Sequence, residues 1–376
     1  MCSGVGLSRD KDGKRAGMAA AKEAMAKSGP PTISFLFTAG NYDPAEVLTG
    51  VQSIIGPSKL VGASTYGIIT RGGVCTAGVG VCCLGGPNIR ATTYLEKSLS
   101  TVGSAYAGNF NIVTLSHQGK AKTVFVFPDG FGNNISALLR QLHDSMGPGY
   151  SYAGGGTGDN LDKRCTYQLT DEGVTTGGFS LATVYGVDFE FGLGHGWQPT
   201  GEPMLVTRAE GKRVYELDGV TAFSRYASSL AIADSNDFSH VSMKYPLGIL
   251  CRGGEFLLRD PLQVGDDGSI VFVTEIPPNT VVTIMTPPPG GDVSQVKSEI
   301  LYNTYASAPK AKIMFVFDCV SRYFLLGEAF ERNLTQALAG IEPTLPVFGC
   351  LSFGEISSIS GAPLFYNKCI TAVVGG

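Results

Sequence analysis

The chain is poor in charge. Lys, Arg, Asp and Glu make up 16% of its 376 residues, against about 25% in an average protein. Twenty-eight basic residues face 32 acidic ones, a net of -4 with no basic run, so neither nucleic acid nor an anionic membrane surface is an expected partner. Histidine (4 residues) and tryptophan (1) are scarce. Nine cysteines contain no C-x-x-C pair, which excludes a zinc ribbon or a thioredoxin-type motif. No apolar stretch approaches the roughly 18 residues of a membrane span; the densest, 77–86, is full of glycine. The opening segment carries Asp10 and Asp12 where a secretory signal is basic then apolar, so neither a signal nor a transit peptide is expected. An odd number of scattered cysteines reads as reduced, buried thiols in a cytoplasmic protein.

Glycine is abundant instead: 51 residues, about twice the usual ~7%, without a collagen period. With 43% apolar residues and mean hydropathy +0.13, disorder and a coiled coil are excluded. At roughly 100–200 residues per domain, the length predicts two domains.

Three segments share one pattern, starting at Ile33, Thr123 and Ile313. Each is a short Val/Ile/Phe strand, a polar turn, a helix, and a second strand ending in a Gly-rich bend. In the third, Leu325, Leu326, Phe330, Leu334 and Leu338 fall on one helical face. Further strands are expected at 78–84, 179–186 and 370–374, with Cys82 and Cys83 on opposite faces. The bends place Gly62 and Gly67 five apart, and Gly349 and Gly354 likewise; the middle bend ends near Asp159. Positive φ or close backbone approach explains such glycines. A strand at 4–7 and a helix at 13–27 open the chain. Between 219 and 310, a helix is expected at 221–233, strands at 245–251, 255–259, 269–274 and 280–286, and a helix from Val293 to Tyr305. The fold class is α/β, or mixed α+β, with repeated strand-helix-strand units in two related domains, 1–218 and 219–376.

Several motifs fall short. Gly130-x-Gly132-x-x-Ile135 lacks the third glycine of a dinucleotide fold. The stretch 62–67 is one residue too long for a nucleophile elbow, and no P-loop occurs. His117 and His143 sit in polar surroundings and should face solvent. His195 lies between Gly194 and Gly196 beside Trp197. That is either a Gly-rich hairpin end with a hydrogen-bonded histidine, or a contact for a flat ligand or a metal. Strand-to-helix junctions offer Asn41, Tyr42 and Asp43 in the first unit, and Cys319, Ser321 and Arg322 in the third, as anion-facing positions. Arg322 is either a surface arginine or a clamp for a carboxylate or phosphate. Glu355, after Phe353 and Gly354, is a loop carboxylate or a partner for an amine.

Together these pieces resemble the FIST sensory family. The resemblance rests on "GVGLSRDKDGKRAGMAAAKEA", "LVGASTYG", "YAGGGTGDN" and "GLGHGWQPTGEPMLVTRAEGKRVYELDG", then on "FLLRDPLQVGDDGSI", "FDCVSRYFLLG", "PVFGCLSFGEIS" and "YNKCITAVV". It implies a small-ligand sensory module, with amino acids as proposed ligands and kinases or cyclases as signalling partners. Some bacterial members resemble haem-binding nitric oxide sensors; here His195 would be the axial ligand. Eukaryotic relatives carry an F-box, for which the residues ahead of the first unit leave no room. This chain has Ile68 after Gly67 where relatives commonly have Glu; only Gly354-Glu355 keeps the pair. The expectation is a cytoplasmic sensor, not an enzyme, acting through a separate partner. Asn41, Tyr42, Ser64, Thr65, Gly67, Asp159, His195, Trp197, Cys319, Arg322, Phe353, Gly354, Glu355 and Asn367 are its candidate ligand site. Arg322 and Glu355 supply opposite charges. Cys319 as a helix-start nucleophile is the enzymatic alternative.

Overall fold

A computed structural model describes residues 1–99, 122–161, 165–230, 238–251, 254–288, 293, 295–359 and 361–376. The chain is mixed α+β, built from three repeats and one insertion.

Repeat 1 runs β1 (Cys2–Ser8), α1 (Gly13–Ser28), β2 (Ile33–Ala39), α2 (Pro44–Ile55), β3 (Lys59–Thr65), a hairpin β4 (Ile68–Thr70) and β5 (Gly73–Cys75), then β6 (Gly78–Gly85). Repeat 2 runs β7 (Arg90–Glu96), β8 (Lys122–Pro128), α3 (Ile135–Met146), β9 (Ser151–Gly155), the hairpin β10 (Gln168–Thr170) and β11 (Gly173–Thr175), then β12 (Phe179–Tyr185). Repeat 3 opens with β13 (Phe189–Gly194) and is at once interrupted. The inserted module holds β14 (Gln198–Glu210), β15 (Arg213–Leu217), β16 (Val220–Thr221), α4 (Ala222–Leu230), α5 (Phe238–Ser242), β17 (Leu247–Leu250), β18 (Phe256–Arg259), β19 (Pro261–Val264), β20 (Ile270–Phe272) and β21 (Val281–Thr286). Repeat 3 then resumes with α6 (Gln295–Ser307), β22 (Ile313–Cys319), α7 (Val320–Leu326), α8 (Glu328–Ala339), β23 (Val347–Ser352), the hairpin β24 (Glu355–Ser357) and β25 (Leu364–Tyr366), and β26 (Ile370–Gly375).

The strand pairings are the same in each repeat. The first strand pairs antiparallel with the last: β1 with β6, β7 with β12, β13 with β26. The two inner strands run parallel: β2 with β3, β8 with β9, β22 with β23. The hairpin leaves its own sheet. β4 of repeat 1 pairs with β23 of repeat 3, β24 of repeat 3 with β9 of repeat 2, and β10 of repeat 2 with β3 of repeat 1. This cyclic exchange ties the three sheets into one body and leaves no repeat able to complete its sheet alone.

The central strands explain why the units close around each other. Phe35, Phe125 and Phe315 occupy one register and meet pairwise at ring-centroid distances of 4.9, 4.7 and 5.2 Å. Phe37, Phe127 and Phe317, two residues on, form a second triad at 5.4, 6.5 and 5.9 Å. Period-2 alternation sends both positions of each strand to the shared axis, and the helices cover the other faces. All six rings are fully buried, and edge-on and tilted aromatic contacts of this kind add to the area they remove from water. The repeated glycine has a matching cause. A Cβ on Gly62, Gly154 or Gly349 would lie 2.2, 2.1 or 1.7 Å from the carbonyl oxygen of Leu36, Val126 or Val316 in the adjacent strand. Close backbone approach is therefore what these positions require.

Cys82 packs into the axial core, and Cys83 into the layer beneath α1 and α2, on opposite faces. The third helix is not continuous: Gly327, at φ 52, is both the C-cap of α7 and the N-cap of α8. Phe330, Leu334 and Leu338 face the core from α8, while Leu325 and Leu326 stand on α7. Residue 219 lies in the two-residue turn between β15 and β16, inside the inserted module, and among the described residues six strand pairings span that point in the chain. His117 and the end of the helix expected at 221–233 lie outside the described residues. Among the described residues no helix is long and apolar enough to cross a membrane.

Candidate functional site

β22 is an apolar run with one carboxylate. Asp318 is fully buried near its end, where an unpaired charge would be severely penalised. Two fully buried cations answer it. Lys297 Nζ from α6 lies 2.9 Å from Oδ2, and Arg322 Nε from α7 lies 2.9 Å from Oδ1. Among the described residues these are the ion pairs with both partners at 0% exposure. Lys297 Nζ also stands 3.3 Å from the Phe330 ring centroid, a cation–π contact that takes the place of water; burial pushes this amine below the usual lysine range. Arg322 donates from Nη1 to the His195 carbonyl (2.8 Å) and from Nη2 to the Val293 carbonyl (3.2 Å).

A second pair sits beside the first. Lys368, between β25 and β26, is fully buried and reaches Asp260 of the module (3.1 Å). Burial pushes the Asp260 carboxyl above the usual range, against the pull of Lys368. Trp197 lies between the two clusters, its ring 5.9 Å from the Arg322 guanidinium and 5.6 Å from Lys368 Nζ, and its indole N–H bonds the Lys244 carbonyl. Among the described residues no cation pairs with Glu355. Ser352 Oγ lies 2.9 Å from Oε1, and the Cys369 N–H donates to Oε2 (3.0 Å); burial holds its carboxyl well above the usual range. Three basic groups thus meet two paired carboxylates, leaving one basic group in excess.

The other repeats show what the fold alone needs here. At the register of Asp318, repeats 1 and 2 carry Thr38 and Pro128. At that of Lys368 they carry Ala77 and Gly177, two residues before Val79 and Phe179. At that of Glu355 they carry Ile68 and Gln168. The same backbone is built twice with small or neutral residues, so the charges are a property of repeat 3 and not of the fold.

The FIST N domain family model matches residues 32–220, and the FIST C domain model residues 222–358. The chain belongs to the FIST family. An uncharacterized Mycobacterium tuberculosis protein, matched in two strains, is 24% identical over 286 residues, 73% of each chain. An uncharacterized Methanocaldococcus jannaschii protein is 27% identical over 213 residues, 50% of this chain and 41% of its own. FIST domains are sensory domains of signal transduction, suggested to bind small ligands. In this FIST protein the N domain match begins at β2 and runs through repeats 1 and 2 and β13 into the module, while the C domain match covers the rest of the module and repeat 3 from α6 through β24.

Of the residues singled out in the sequence, the FIST fold gathers Trp197, Cys319, Arg322, Glu355 and the backbone of His195 around this pole of repeat 3. Asn367 lies in the same turn as Lys368; its Oδ1 is buried without a hydrogen-bond partner. The others stand elsewhere or are engaged internally. Asn41 is exposed, and Tyr42 donates to the Asp10 carbonyl. Ser64 donates to the Gly158 carbonyl and Thr65 to the Leu351 carbonyl. Asp159 accepts from the Leu161 and Cys165 amides. Gly67 and Gly354 leave room for Leu351 and Phe365, and the Phe353 ring lies over Gly158. His195 Nδ1 accepts the Trp197 N–H (2.9 Å) and the ring also hydrogen-bonds the Phe256 backbone. Burial first, then Arg322, lower its pKa to about 4. With its nitrogens engaged, and Val296 only 2.8 Å from where a Gly194 Cβ would sit, His195 and its neighbours do not fit an axially bound haem. The Cys319 thiol is pushed up to about 12 by burial and Glu355, the opposite of an activated nucleophile. Among the described residues no group of three or more His, Cys, Asp or Glu is arranged to hold a metal.

Asp318, Lys297, Lys368 and Asp260 were not singled out. Asp318 had a signal, the lone carboxylate in the apolar run "IMFVFDC"; the others had none.

Proposed function

We propose that this FIST protein is a sensor rather than an enzyme, and that its ligand is a small carboxylate-bearing polar molecule of amino-acid type bound at the pole of repeat 3. One observation carries the reading: buried ionisable groups at three registers, those of Asp318, Lys368 and Glu355, where both other repeats carry none. The excess basic group suits a carboxylate held by Arg322 and Lys297, with Trp197 as the flat wall; Asp318 or Asp260 then takes an ammonium. Ligands favour domain interfaces with a few convergent polar groups, and this pole lies between repeat and module. The signal passes to a separate partner of kinase or cyclase type. Nine unpaired cysteines suit a reducing compartment, the cytoplasm.

Titration calorimetry with a panel of the common amino acids tests the proposal. Saturable binding of at least one is expected, weakened roughly 10–100-fold in Arg322→Ala, the loss expected for a charged hydrogen bond. No heat from any of them with the intact protein refutes it.

A further inference from the structure

The module joins the core through two linkers, and one side chain holds both. Arg322 bonds the His195 carbonyl on the way in and the Val293 carbonyl on the way out, while Asp318 fixes its Nε. The linkers also touch: a Cβ on Gly196, at φ 88, would lie 3.2 Å from the Val293 carbonyl. Away from them, two apolar clusters and a set of polar contacts join module to core: Leu257 packs with Tyr366 and Cys369, and Leu258 and Met285 with Leu325 and Leu326. Lys368 pairs with Asp260 (3.1 Å), Lys212 Nζ caps the Gly132 carbonyl (2.7 Å), and Arg259 Nη1 caps the Phe365 carbonyl (3.2 Å). Lys368 does so from a left-handed backbone, φ 56, where repeat 2 uses Gly177 at φ 72. Strain of this kind persists where the surroundings over-determine it.

We propose that the module, residues 198–286, is a hinged lid over the charged pole of repeat 3, with Arg322 as the hinge pin and Lys368–Asp260 as the latch. Paired linkers that meet at one point form a hinge, and a closed latch buries the groups that would meet a ligand. A ligand group that takes Arg322 or Asp318 releases both linkers at once, so occupancy is converted into module orientation. The trigger rests on the binding site proposed above; the hinge and latch do not.

Hydrogen exchange on the full chain without ligand is the test. Asp260→Asn opens the latch, and Arg322→Lys keeps a cation opposite Asp318 but cannot reach both carbonyls. Both variants should speed exchange about tenfold in β18, β25 and 195–197, leaving β2 and β8 unchanged, as expected of local opening. Exchange like that of the unmodified protein in both variants overturns the proposal, as does an equal rise in β2 and β8. If exchange responds while no amino acid binds, the hinge stands and the ligand reading falls. If an amino acid binds while neither variant exchanges faster, the hinge falls and the ligand reading stands.

Discussion

Glu355→Gln should stabilise the protein, increasingly so as pH rises. Gln168 supplies the template. In repeat 2 its Nε2 donates to Thr157 Oγ1 (2.8 Å) and its Oε1 accepts the Gly178 N–H (3.2 Å). Glu355 makes the equivalent contacts with Ser352 Oγ and the Cys369 N–H. A protonated carboxyl reproduces the amide: its O–H donates to Ser352, whose own proton faces the Asp318 carbonyl. Glu355 is fully buried, and desolvation holds its folded-state pKa well above 4.5. The unfolded chain therefore loses this proton first. The native state binds more protons above the unfolded pKa, so stability declines as pH rises, by up to about 1.4 kcal/mol per pH unit, until the folded pKa is reached. Gln removes that slope. Urea denaturation from about pH 4.5 to about pH 6.5 should give two stability curves that meet at the acid end and diverge upward. A constant difference across that range refutes the assignment of a neutral Glu355, and a Gln variant less stable at its neutral end refutes the isosteric packing.

Three further outcomes follow from particular contacts. Phe35→Ala opens the axis where two rings meet at 4.9 and 4.7 Å and should cost about 3–5 kcal/mol by chemical denaturation; a loss near 1 kcal/mol would mean the triads do not carry the core. Lys368→Ala and Lys368→Gly both strand Asp260, but only Gly suits φ 56, so the Ala protein should be less stable by about 1 kcal/mol; equal stabilities would show the left-handed backbone is not retained. His195, lowered to about 4 from 6.5, should stay neutral through weakly acid solution. The unfolded histidine protonates first, so stability falls as pH drops below 6.5; a ring titration near 6.5 by NMR would show that the ring is not buried as described.

Much of the scaffold was legible because it is local and repeated. The Phe-x-Phe runs show period 2 in all three repeats, and the opening strand and helix carry their own stop in Gly29, Pro30 and Pro31. The hairpins were not legible: strands of three residues are too short to show a period. Their exchange between repeats depends on the spatial order of the sheets, on which local pattern is silent. The break between α7 and α8 had a sign in Gly327, overridden by an apolar face that reads as continuous. Arg322 and Glu355 stood out because each follows a recognisable turn or bend. Lys297 and Asp260 did not, because each is one charged residue among many until α6 is brought against β26 and β18 against β25.

The threefold plan turns one chain into its own control. What all repeats share, the Phe pairs on the axis and the glycine facing the neighbouring carbonyl, is what closing three sheets around one line requires. The hydroxyl at Thr65, Thr157 and Ser352 is shared as well. Buried ion pairs are not on that list. Replacing them by neutral residues of suitable shape is commonly neutral or stabilising, and repeats 1 and 2 show this backbone accommodating Thr38, Pro128, Ala77 and Gly177. A fold under selection for stability alone has no reason to keep Asp318 and Lys368 in the third repeat. Two things distinguish that repeat: it alone carries the insertion, and the insertion supplies the partner of Lys368 while its two linkers supply both carbonyls for Arg322. The charges therefore go with the module. Apolar contacts also hold the module, Leu257 on Tyr366 and Leu258 and Met285 on Leu325 and Leu326, but only at the charge pairs can a polar ligand or water replace the lost partner, so those pairs are where a ligand can bias the module's position.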